Sequence, residues 1–291
     1  MKILLFGAEG QVGRELRRAA WPPGCRLAAF DLADFDITKH DDVLAVTTRE
    51  RPDIVINAAA YTAVDRAESE PDLAFAANRD GPALLAEACQ SAAIPLIHLS
   101  TDYVYGGEKE GPYREDDPIN PLGIYGKSKA GGDEAVAARL SEHVILRTAW
   151  VYSAHGTNFV KTMLRLAAER PSLKVVADQI GSPTSAADIA AAIIAITARI
   201  SAGKGCWGLF HFTGAGAVSW YGFAEALLHL AVPWRGPPPG IVAITTAEYP
   251  TPARRPANSA LDCSKIVEAY GIVPRPWREA LADVIAELLA A

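Results

Sequence analysis

The first thirteen residues restrict the fold more than any other stretch. The run from Lys2 to Phe6 is apolar from Ile3 onward and stops at Gly7, the pattern of a strand buried on both faces. Gly7-Ala-Glu-Gly10-Gln-Val-Gly13 follows with GxxGxxG spacing, and residues 14–20 have helical character. In the order strand, glycine turn, helix, each glycine has a task. Gly7 permits the tight turn, Gly10 lets a pyrophosphate approach the backbone, and Gly13 lets the helix pack on the sheet. A plain glycine-rich turn is the competing reading. The N-terminal position and the helix that follows at once favour a dinucleotide site.

A second strand, residues 26–31, ends in Asp31, eighteen residues past Gly13. An acid at this strand end accepts hydrogen bonds from an adenosine ribose and repels a 2′-phosphate. No arginine follows directly, which tilts the choice between NADH and NADPH toward NADH. A solvated strand-end carboxylate is the alternative. Asp36-Ile37 falls where the next turn flanks an adenine. Residues 39–51 read as a helix stopped by Pro52, and 53–57 as the third strand. The small side chains of Asn57-Ala58-Ala59-Ala60-Tyr61-Thr62 allow the backbone to lie against a ligand or against a neighbouring helix. Residues 73–93 read as one long Ala/Leu helix, with Asn78 inside it as an anchor or a solvated polar group.

The fourth strand, residues 95–100, runs into Thr101-Asp102-Tyr103. A hydroxyl at the carboxyl end of a parallel strand points into the ligand crevice; capping a turn is the other common role of such a threonine. A proline-punctuated polar loop, residues 108–121, then leads to Tyr125-Gly-Lys-Ser-Lys129. On a helix, a tyrosine and a lysine four apart share a face, so the ammonium can favour the phenolate. A phenol starts near pKa ~10 and needs to fall by about three units, about 4 kcal/mol, to titrate near neutrality. Taken alone, most such pairs are solvated helix surface. Residues 143–147 form a fifth strand, followed by Thr148-Ala-Trp150-Val-Tyr152.

Beyond Tyr152 the strand–helix alternation loosens. Helices are expected at 158–169, 185–201, 219–230 and 277–289, and strands at 173–177 and 209–213. Residues 235–240 read as a surface turn. In residues 249–256 each position before a proline is pushed out of the helical region. That extended segment carries Arg254 and Arg255, suited to a diphosphate or to solvent. With 291 residues, the chain accommodates a doubly wound parallel α/β sheet with a smaller C-terminal substrate-binding lobe. The expected division is residues 1–150 for the dinucleotide-binding part, taking back about 183–215, and mainly 151–291 for the second lobe.

Composition excludes several classes. The formal net charge of −6, with no Lys/Arg block, argues against a nucleic-acid surface. No apolar stretch reaches the ~18 residues needed to span a bilayer, so no membrane partner is expected. The four cysteines, Cys25, Cys89, Cys206 and Cys263, lack metal-ligand spacing and read as reduced thiols of a cytoplasmic protein.

Read together, these features resemble the extended short-chain dehydrogenase/reductases, a Rossmann-like NAD(P)-binding family with a GxxGxxG turn, a strand-end Ser/Thr and YxxxK. Within them the chain is similar to the dTDP-4-dehydrorhamnose reductases. The similarity rests on Phe6–Gly13, the Asn57–Asp65 string, Ser100-Thr-Asp-Tyr-Val-Tyr105, Tyr125–Lys129, Arg147-Thr-Ala-Trp-Val-Tyr152, Asp178-Gln-Ile-Gly-Ser-Pro-Thr184 and Arg255-Pro-Ala-Asn-Ser-Ala-Leu261. It implies reduction of the C4 ketone of dTDP-4-dehydro-6-deoxy-L-mannose to dTDP-L-rhamnose for cell-surface polysaccharide. It implies that Tyr125 protonates the C4 oxygen. Lys129 would lower the phenol's pKa and hold the nicotinamide ribose, and Thr101 would orient the carbonyl. Gly7, Gly10, Gln11, Val12, Gly13, Asp31, Asp36, Ile37, Ala58, Ala59, Ala60, Tyr61, Thr62 and Leu99 would line the cofactor, with Tyr125 and Lys129. Thr101, Asp102, Tyr103, Trp150 and Arg255 would contact the sugar nucleotide. The resemblance also raises a Mg²⁺ shared between the acids of two subunits. Glu15 is the candidate here, but the matching acids after GxPT are reduced to Asp188, so a solvated helix residue and no metal are expected, in a monomer or homodimer. Two rivals remain: another sugar-nucleotide ketoreductase, epimerase or dehydratase, and a non-catalytic subunit like the regulator of methionine adenosyltransferase. The single acid Asp102 beside Thr101 speaks against a dehydratase, and the complete Thr101/Tyr125/Lys129 set against a binding-only protein.

Overall fold

A computed structural model describes residues 1–289 of the chain. Its centre is a six-stranded, all-parallel sheet. Five strands come from the first 148 residues: β1 (Lys2–Phe6), β2 (Arg26–Phe30), β3 (Ile54–Asn57), β4 (Leu96–Thr101) and β5 (His143–Thr148). The sixth, Gly208–His211, joins much later in the chain and pairs with β5. From that edge inward the order is Gly208–His211, β5, β4, β3, β1, β2.

The strand sequences explain this arrangement. A parallel sheet is covered on both faces, so its strands carry apolar side chains at successive positions. Alternate residues then serve opposite cores. Ile3, Leu5, Ile54, Ile56, Ile97, Val144 and Leu146 pack against the helices Gln11–Arg18 and Ala186–Ser201. Leu4, Phe6, Val55, Leu96 and Ile145 face the other way, onto His40–Glu50, Gly81–Ala92 and Ile124–Arg139. A separate apolar cluster lies in the C-terminal half. There Phe223, Leu227, Trp277, Leu281 and Ile285 close over Leu173 and Val175. Among the described residues no helix is long and apolar enough to cross a membrane, and all four cysteines are free.

Several expected boundaries shift for identifiable reasons. Asn158, Ser185 and Ser219 precede their helices as caps. Their side chains accept from the backbone N–H of Lys161 at 3.1 Å, Ala187 at 3.2 Å and Gly222 at 3.1 Å, which satisfies donors that the first turn leaves open. The turn expected to end at 240 runs directly into a strand, Gly240–Ile244, paired in parallel with Ser172–Val176. Val242 on it is exposed, so the stretch shows little of the periodicity that marks a buried strand. The single helix expected over 73–93 is instead three segments, Pro71–Phe75, a π-helical turn Ala76–Asp80 and Gly81–Ala92.

That π turn buries Asn78 completely. Its amide accepts from Tyr61 N–H at 2.8 Å and donates to the Tyr61 carbonyl and the Ser128 hydroxyl, both at 3.0 Å. A widened turn of this kind re-aims one side chain without ending the helix. The Asn78 carbonyl in turn packs against the Ile124–Arg139 helix at Gly132, where an added Cβ would lie 2.1 Å from the oxygen. Alanine gains about 1 kcal/mol of helix propensity over glycine, but overpacking typically costs 1–3 kcal/mol and more when the clash is with backbone. Gly132→Ala is therefore expected to destabilise the protein by about 1–3 kcal/mol in urea unfolding; a midpoint equal to or above the wild-type value contradicts this packing.

Candidate active site

The strand order reverses between β1 and β3, and ligands of such sheets bind outside the carboxyl ends of the strands at that point. A crevice of about 630 Å³ opens there. Gly7, Gly10, Asp31, Asp36, Ile37, Ala58, Ala59, Ala60 and Tyr61 line it, as the sequence predicts for a cofactor. Gly7 stands at φ +80°, and an added Cβ would meet the Ala58–Ala59 peptide at 2.5 Å. At Gly13 a Cβ would lie 2.0 Å from the Gly7 carbonyl oxygen. Both backbones approach too closely for any other residue.

The fit to a dinucleotide is local and chemical. Gly10 precedes the Gln11–Arg18 helix without any side-chain cap, and no acid occupies the first turn. The helix N-terminus thus presents uncapped N–H groups and a positive dipole end to an anion. Asp31 already accepts from Glu9 N–H at 2.7 Å and Leu32 N–H at 2.8 Å. These bonds hold the turn and fix the carboxylate at the crevice wall. Leu32, Phe35, Leu73, Ala76 and Ala77 complete an apolar slot. These residues were not singled out from sequence. Exposed leucines at 32 and 73 carry no motif, and only the fold brings them together.

Seven of the predicted cofactor residues do not line that crevice; Tyr125 and Lys129 belong to a second cluster at the end of β4, and the other five lie elsewhere. Val12 points into the core below the sheet, and Gly13 lies behind the turn. Thr62 is exposed past the rim. The Gln11 amide turns away from the crevice; its Oε1 accepts from Ser153 at 3.1 Å and Asn158 at 2.9 Å, anchoring the 153–158 loop. Leu99 contributes its carbonyl, which accepts from Lys129 Nζ at 2.7 Å.

The second group of candidates gathers at the carboxyl end of β4, not along that crevice. Thr101 ends the strand and its hydroxyl caps the Asp102–Val104 turn, accepting from Tyr103 N–H at 3.2 Å. The same hydroxyl donates to Asp102 Oδ1 at 3.0 Å and stands beside the Tyr125 phenol. Tyr103 meets the Tyr125 ring edge-on, centroids 5.5 Å apart. Lys129 is fully buried behind them.

Electrostatics here differ from the simple expectation of a phenol depressed by a lysine. Burial pushes the Tyr125 phenol upward, and the Thr101 hydroxyl, not Lys129, is what pulls it back. Desolvation also pulls Lys129 down to about 8, opposed by Asp133. Burial raises Asp102 to about 6 despite the hydroxyls of Ser259 and Thr101 beside it. In a closed, poorly solvated site the uncharged form of each group gains.

Arg255 reaches this cluster from the extended 249–256 segment. Its guanidinium forms a two-pronged pair with Asp65, one bond at 2.8 Å, also bonds Thr251 Oγ1 at 2.7 Å, and lies near the Tyr103 phenol. Its charge is thus largely matched by Asp65, where the sequence suggested an open diphosphate clamp. Arg254 is exposed. Trp150 is half-buried at the end of β5 with a left-handed backbone, φ +47°. Its ring stacks on Trp220, centroids 3.4 Å apart and 4° from parallel. A bulky residue in that conformation stores strain, and neither the strain nor the Trp220 partner is visible in sequence.

Glu15 is corrected. It is buried, not solvated, and burial raises its carboxyl against the pull of Arg18 and His155, both 3.7 Å away. Asp188 pairs with Arg275 at 2.8 Å instead. Among the described residues no three His, Cys, Asp or Glu side chains cluster as metal ligands.

With this geometry in place, likeness to known proteins is informative. Residues 1–290 match the family model described as RmlD substrate binding domain. A dTDP-4-dehydrorhamnose reductase of Aggregatibacter actinomycetemcomitans is 46% identical over 287 residues, spanning 97% of this chain and 98% of that protein. The crystal structure of a dTDP-4-dehydrorhamnose reductase from Clostridium acetobutylicum superposes with a TM-score of 0.93 at 39% identity, covering 99% of both chains. One from Bacillus anthracis, solved in complex with NADP, gives 0.89 at 34% identity, covering 98% of this chain and 99% of that one. On the extent of the family match and these identities, the chain belongs to the RmlD family, alongside the dTDP-4-dehydrorhamnose reductases.

Proposed function

We propose that this protein is an NAD(P)H-dependent dTDP-4-dehydrorhamnose reductase, converting the C4 ketone of dTDP-4-dehydro-6-deoxy-L-mannose to dTDP-L-rhamnose for cell-surface polysaccharide. The observation that carries the reading is the gathering of Thr101, Tyr125 and the buried Lys129, anchored on the Leu99 carbonyl, at the carboxyl end of β4. Residues 1–150, with the later segment 183–215, hold the cofactor in this reading. The rest of 151–291 shapes the sugar-nucleotide side through Trp150 and Arg255. Four free cysteines fit a reducing cytoplasm, and the enzyme acts as a monomer or homodimer.

When bound, the nicotinamide supplies the hydride. The chain's own part is to hold and protonate. The uncapped helix end after Gly10 takes the pyrophosphate, Asp31 the adenosine ribose, and the Leu32/Leu73 slot the adenine. At the substrate, the Thr101 and Tyr125 hydroxyls hold the C4 oxygen, and Asp102, Tyr103 and Trp150 hold the sugar. Tyr125 gives its proton to that oxygen as charge develops. A donor must begin protonated, and a phenol with its ordinary pKa of about 10 is so at neutral pH; burial pushes Tyr125 further in that direction. The alkoxide forming at C4 is more basic than a phenolate, so the proton passes downhill. Lys129, on the same helix face as Tyr125, would hold the nicotinamide ribose and bring its charge toward the phenolate left behind.

Cofactor choice follows from charge. Glu9, Asp31 and Asp36 line the crevice, and among the described residues no lysine or arginine lines it; Glu9 is paired with Arg14 and Arg17 and Asp36 with Lys39, which leaves Asp31 as the carboxylate with no cation beside it. A 2′-phosphate placed about 4 Å from Asp31 is repelled by about 1 kcal/mol at solvent-like dielectric. NADH is the preferred donor on this ground.

Two measurements test the proposal. With dTDP-4-dehydrorhamnose, Tyr125→Phe is expected to lower kcat by about 10²–10⁴-fold, the range of a lost general acid, while NADH still binds; full kcat in that variant removes Tyr125 as donor. No absorbance loss at 340 nm with either cofactor and the wild-type protein removes the reductase reading itself. For cofactor choice, kcat/KM is expected to favour NADH by about tenfold, equivalent to about 1.4 kcal/mol, and Leu32→Arg to narrow that ratio. A wild-type preference for NADPH reverses the charge argument.

A further inference from the structure

Thr101 and Asp102 are buried, and a sugar nucleotide has to reach them. The extended segment 250–256 runs along their flank, from the C-terminal lobe to the front of the Ile124–Arg139 helix. Pro250, Pro252 and Pro256 stiffen it. Ala253 is buried beside Gly123, the residue before that helix, where an added Cβ would lie 3.9 Å from its own. Pro256 packs against Gly107, where a Cβ would lie 2.6 Å away. Arg255, between them, lies near the Tyr103 phenol, and the Tyr103 ring meets Tyr125.

This strap is fastened in an unusual way. Among the described residues, no backbone–backbone hydrogen bond holds positions 250–256. Its polar ties to the rest of the molecule converge on one carboxylate, Asp65 of the short helix Val64–Ala67. Asp65 Oδ1 accepts from Ala253 N–H at 3.1 Å and from Arg255 Nη1, and Oδ2 accepts from Arg255 Nη2 at 2.8 Å. Arg255 Nη1 also donates to Thr251 Oγ1 at 2.7 Å and to the Ala253 carbonyl at 2.6 Å. The guanidinium thus braces the strap on itself, and the carboxylate holds the braced strap to the first lobe. Three residues on, Glu68 accepts from Ile124 N–H, so residues 64–68 hold both the strap and the start of the catalytic helix.

The fastening is also the weakest part of this region. The Asp65 side chain is 42% exposed, and ion pairs in contact with water are modest and screened by salt. A segment without backbone hydrogen bonds belongs to the low end of local stability, whereas the strand and helix beside it are fully bonded. We propose that Asp65 is a positioning residue for this reaction: through Arg255 and Ala253 it latches the 250–256 strap across the mouth of the sugar-nucleotide cleft, and the strap is released and refastened as the ligand passes. The proposal rests on the reductase reading for what enters the cleft. The latch itself is measurable without turnover.

Trypsin reads it directly. Arg254 is exposed, and the Arg254–Arg255 bond enters a protease site only when the strap leaves the surface; the bond before Pro256 resists this protease. Cleavage of the full-length protein after Arg254, identified by fragment mass, is compared in the wild type, Asp65→Asn and Asp65→Glu. It is expected to be about tenfold faster in Asp65→Asn, the weight of one charge-assisted hydrogen bond, and near the wild-type rate in Asp65→Glu. In the wild type, dTDP is expected to slow it. Equal rates in the wild type and Asp65→Asn overturn the proposal, as does an Asp65→Glu variant cut as fast as Asp65→Asn. If Asp65→Asn fails to fold, the wild type alone decides: raising NaCl from about 0.05 to about 0.5 M is expected to speed this cleavage about threefold relative to an unstructured peptide of the same sequence, and no salt effect overturns the latch. In turnover, Asp65→Asn is expected to raise KM for dTDP-4-dehydrorhamnose about tenfold, with kcat changed less than about threefold, Kd for NADH unchanged and Asp65→Glu restoring KM. A fall in KM means that Asp65 withholds Arg255 from the substrate and overturns the latch. An equal loss of kcat and kcat/KM marks a distorted site and overturns it too. A wild type that neither turns over nor is protected by dTDP removes the reductase reading and leaves the cleavage comparison to decide Asp65.

Discussion

The site depends on how closely one helix lies against the end of β4. The Ile124–Arg139 helix carries Tyr125 and Lys129, and it reaches β4 only because Gly132 leaves room for the Asn78 carbonyl. Asn78 is held by the Tyr61 backbone and by Ser128 on that same helix. The loop after β3, the π turn and the catalytic helix are therefore one hydrogen-bonded unit. Glu68 extends it by accepting from the Ile124 backbone N–H at 2.8 Å, at the helix N-terminus where a carboxylate is favourable. The cofactor crevice and the Thr101–Tyr125 pair are thus set at a fixed separation by buried polar bonds as well as by apolar packing.

Depth of burial then decides the chemistry. Tyr125, Lys129, Asp102 and His98 are all shifted toward their uncharged forms by desolvation, with specific neighbours opposing it. Ionised groups in such surroundings persist only where a partner of opposite sign is fixed nearby. The Asp133–Arg147 pair beneath the site, reaching Tyr105 at 2.8 Å from Arg147 and then His211 from Tyr105, also at 2.8 Å, is a buried network that ties the helix to β5 and the sixth strand, with Asp133 Oδ1 left without a partner.

Much of this was legible in the chain itself. The β1–glycine–helix unit, Asp31 and the five successive strands follow from local signals: apolar runs, glycine spacing and terminal polar residues. The helix of Tyr125 and Lys129 was legible because its spacing is regular. What escaped was set by tertiary contact. The π turn at Asn78 looks like ordinary helix until its polar partners are known. Gly240–Ile244 is a strand through its pairing and not through its pattern. The Trp150–Trp220 stack joins residues seventy positions apart, and Glu15 is covered by the fold around its helix, with His155 from the 153–158 loop 3.7 Å from its carboxylate and the Ala186–Ser201 helix packed against the Gln11–Arg18 helix. The electrostatic expectation for Tyr125 failed for a related reason: spacing places a lysine near a phenol but carries no information about water.

The late arrival of the sixth strand bears on how the molecule is made. Gly208–His211 covers β5 only after the chain has passed through residues 149–207. Until then β5 presents an open row of backbone donors and acceptors. The Arg255 segment that ties onto Asp65 emerges later still. During synthesis the nascent chain therefore holds most of its sheet well before it holds its substrate side. Long-range pairing of this sort slows folding and leaves an edge exposed to other chains. Covering that edge until residues 208–211 are made is what the topology asks of the cell's chaperones.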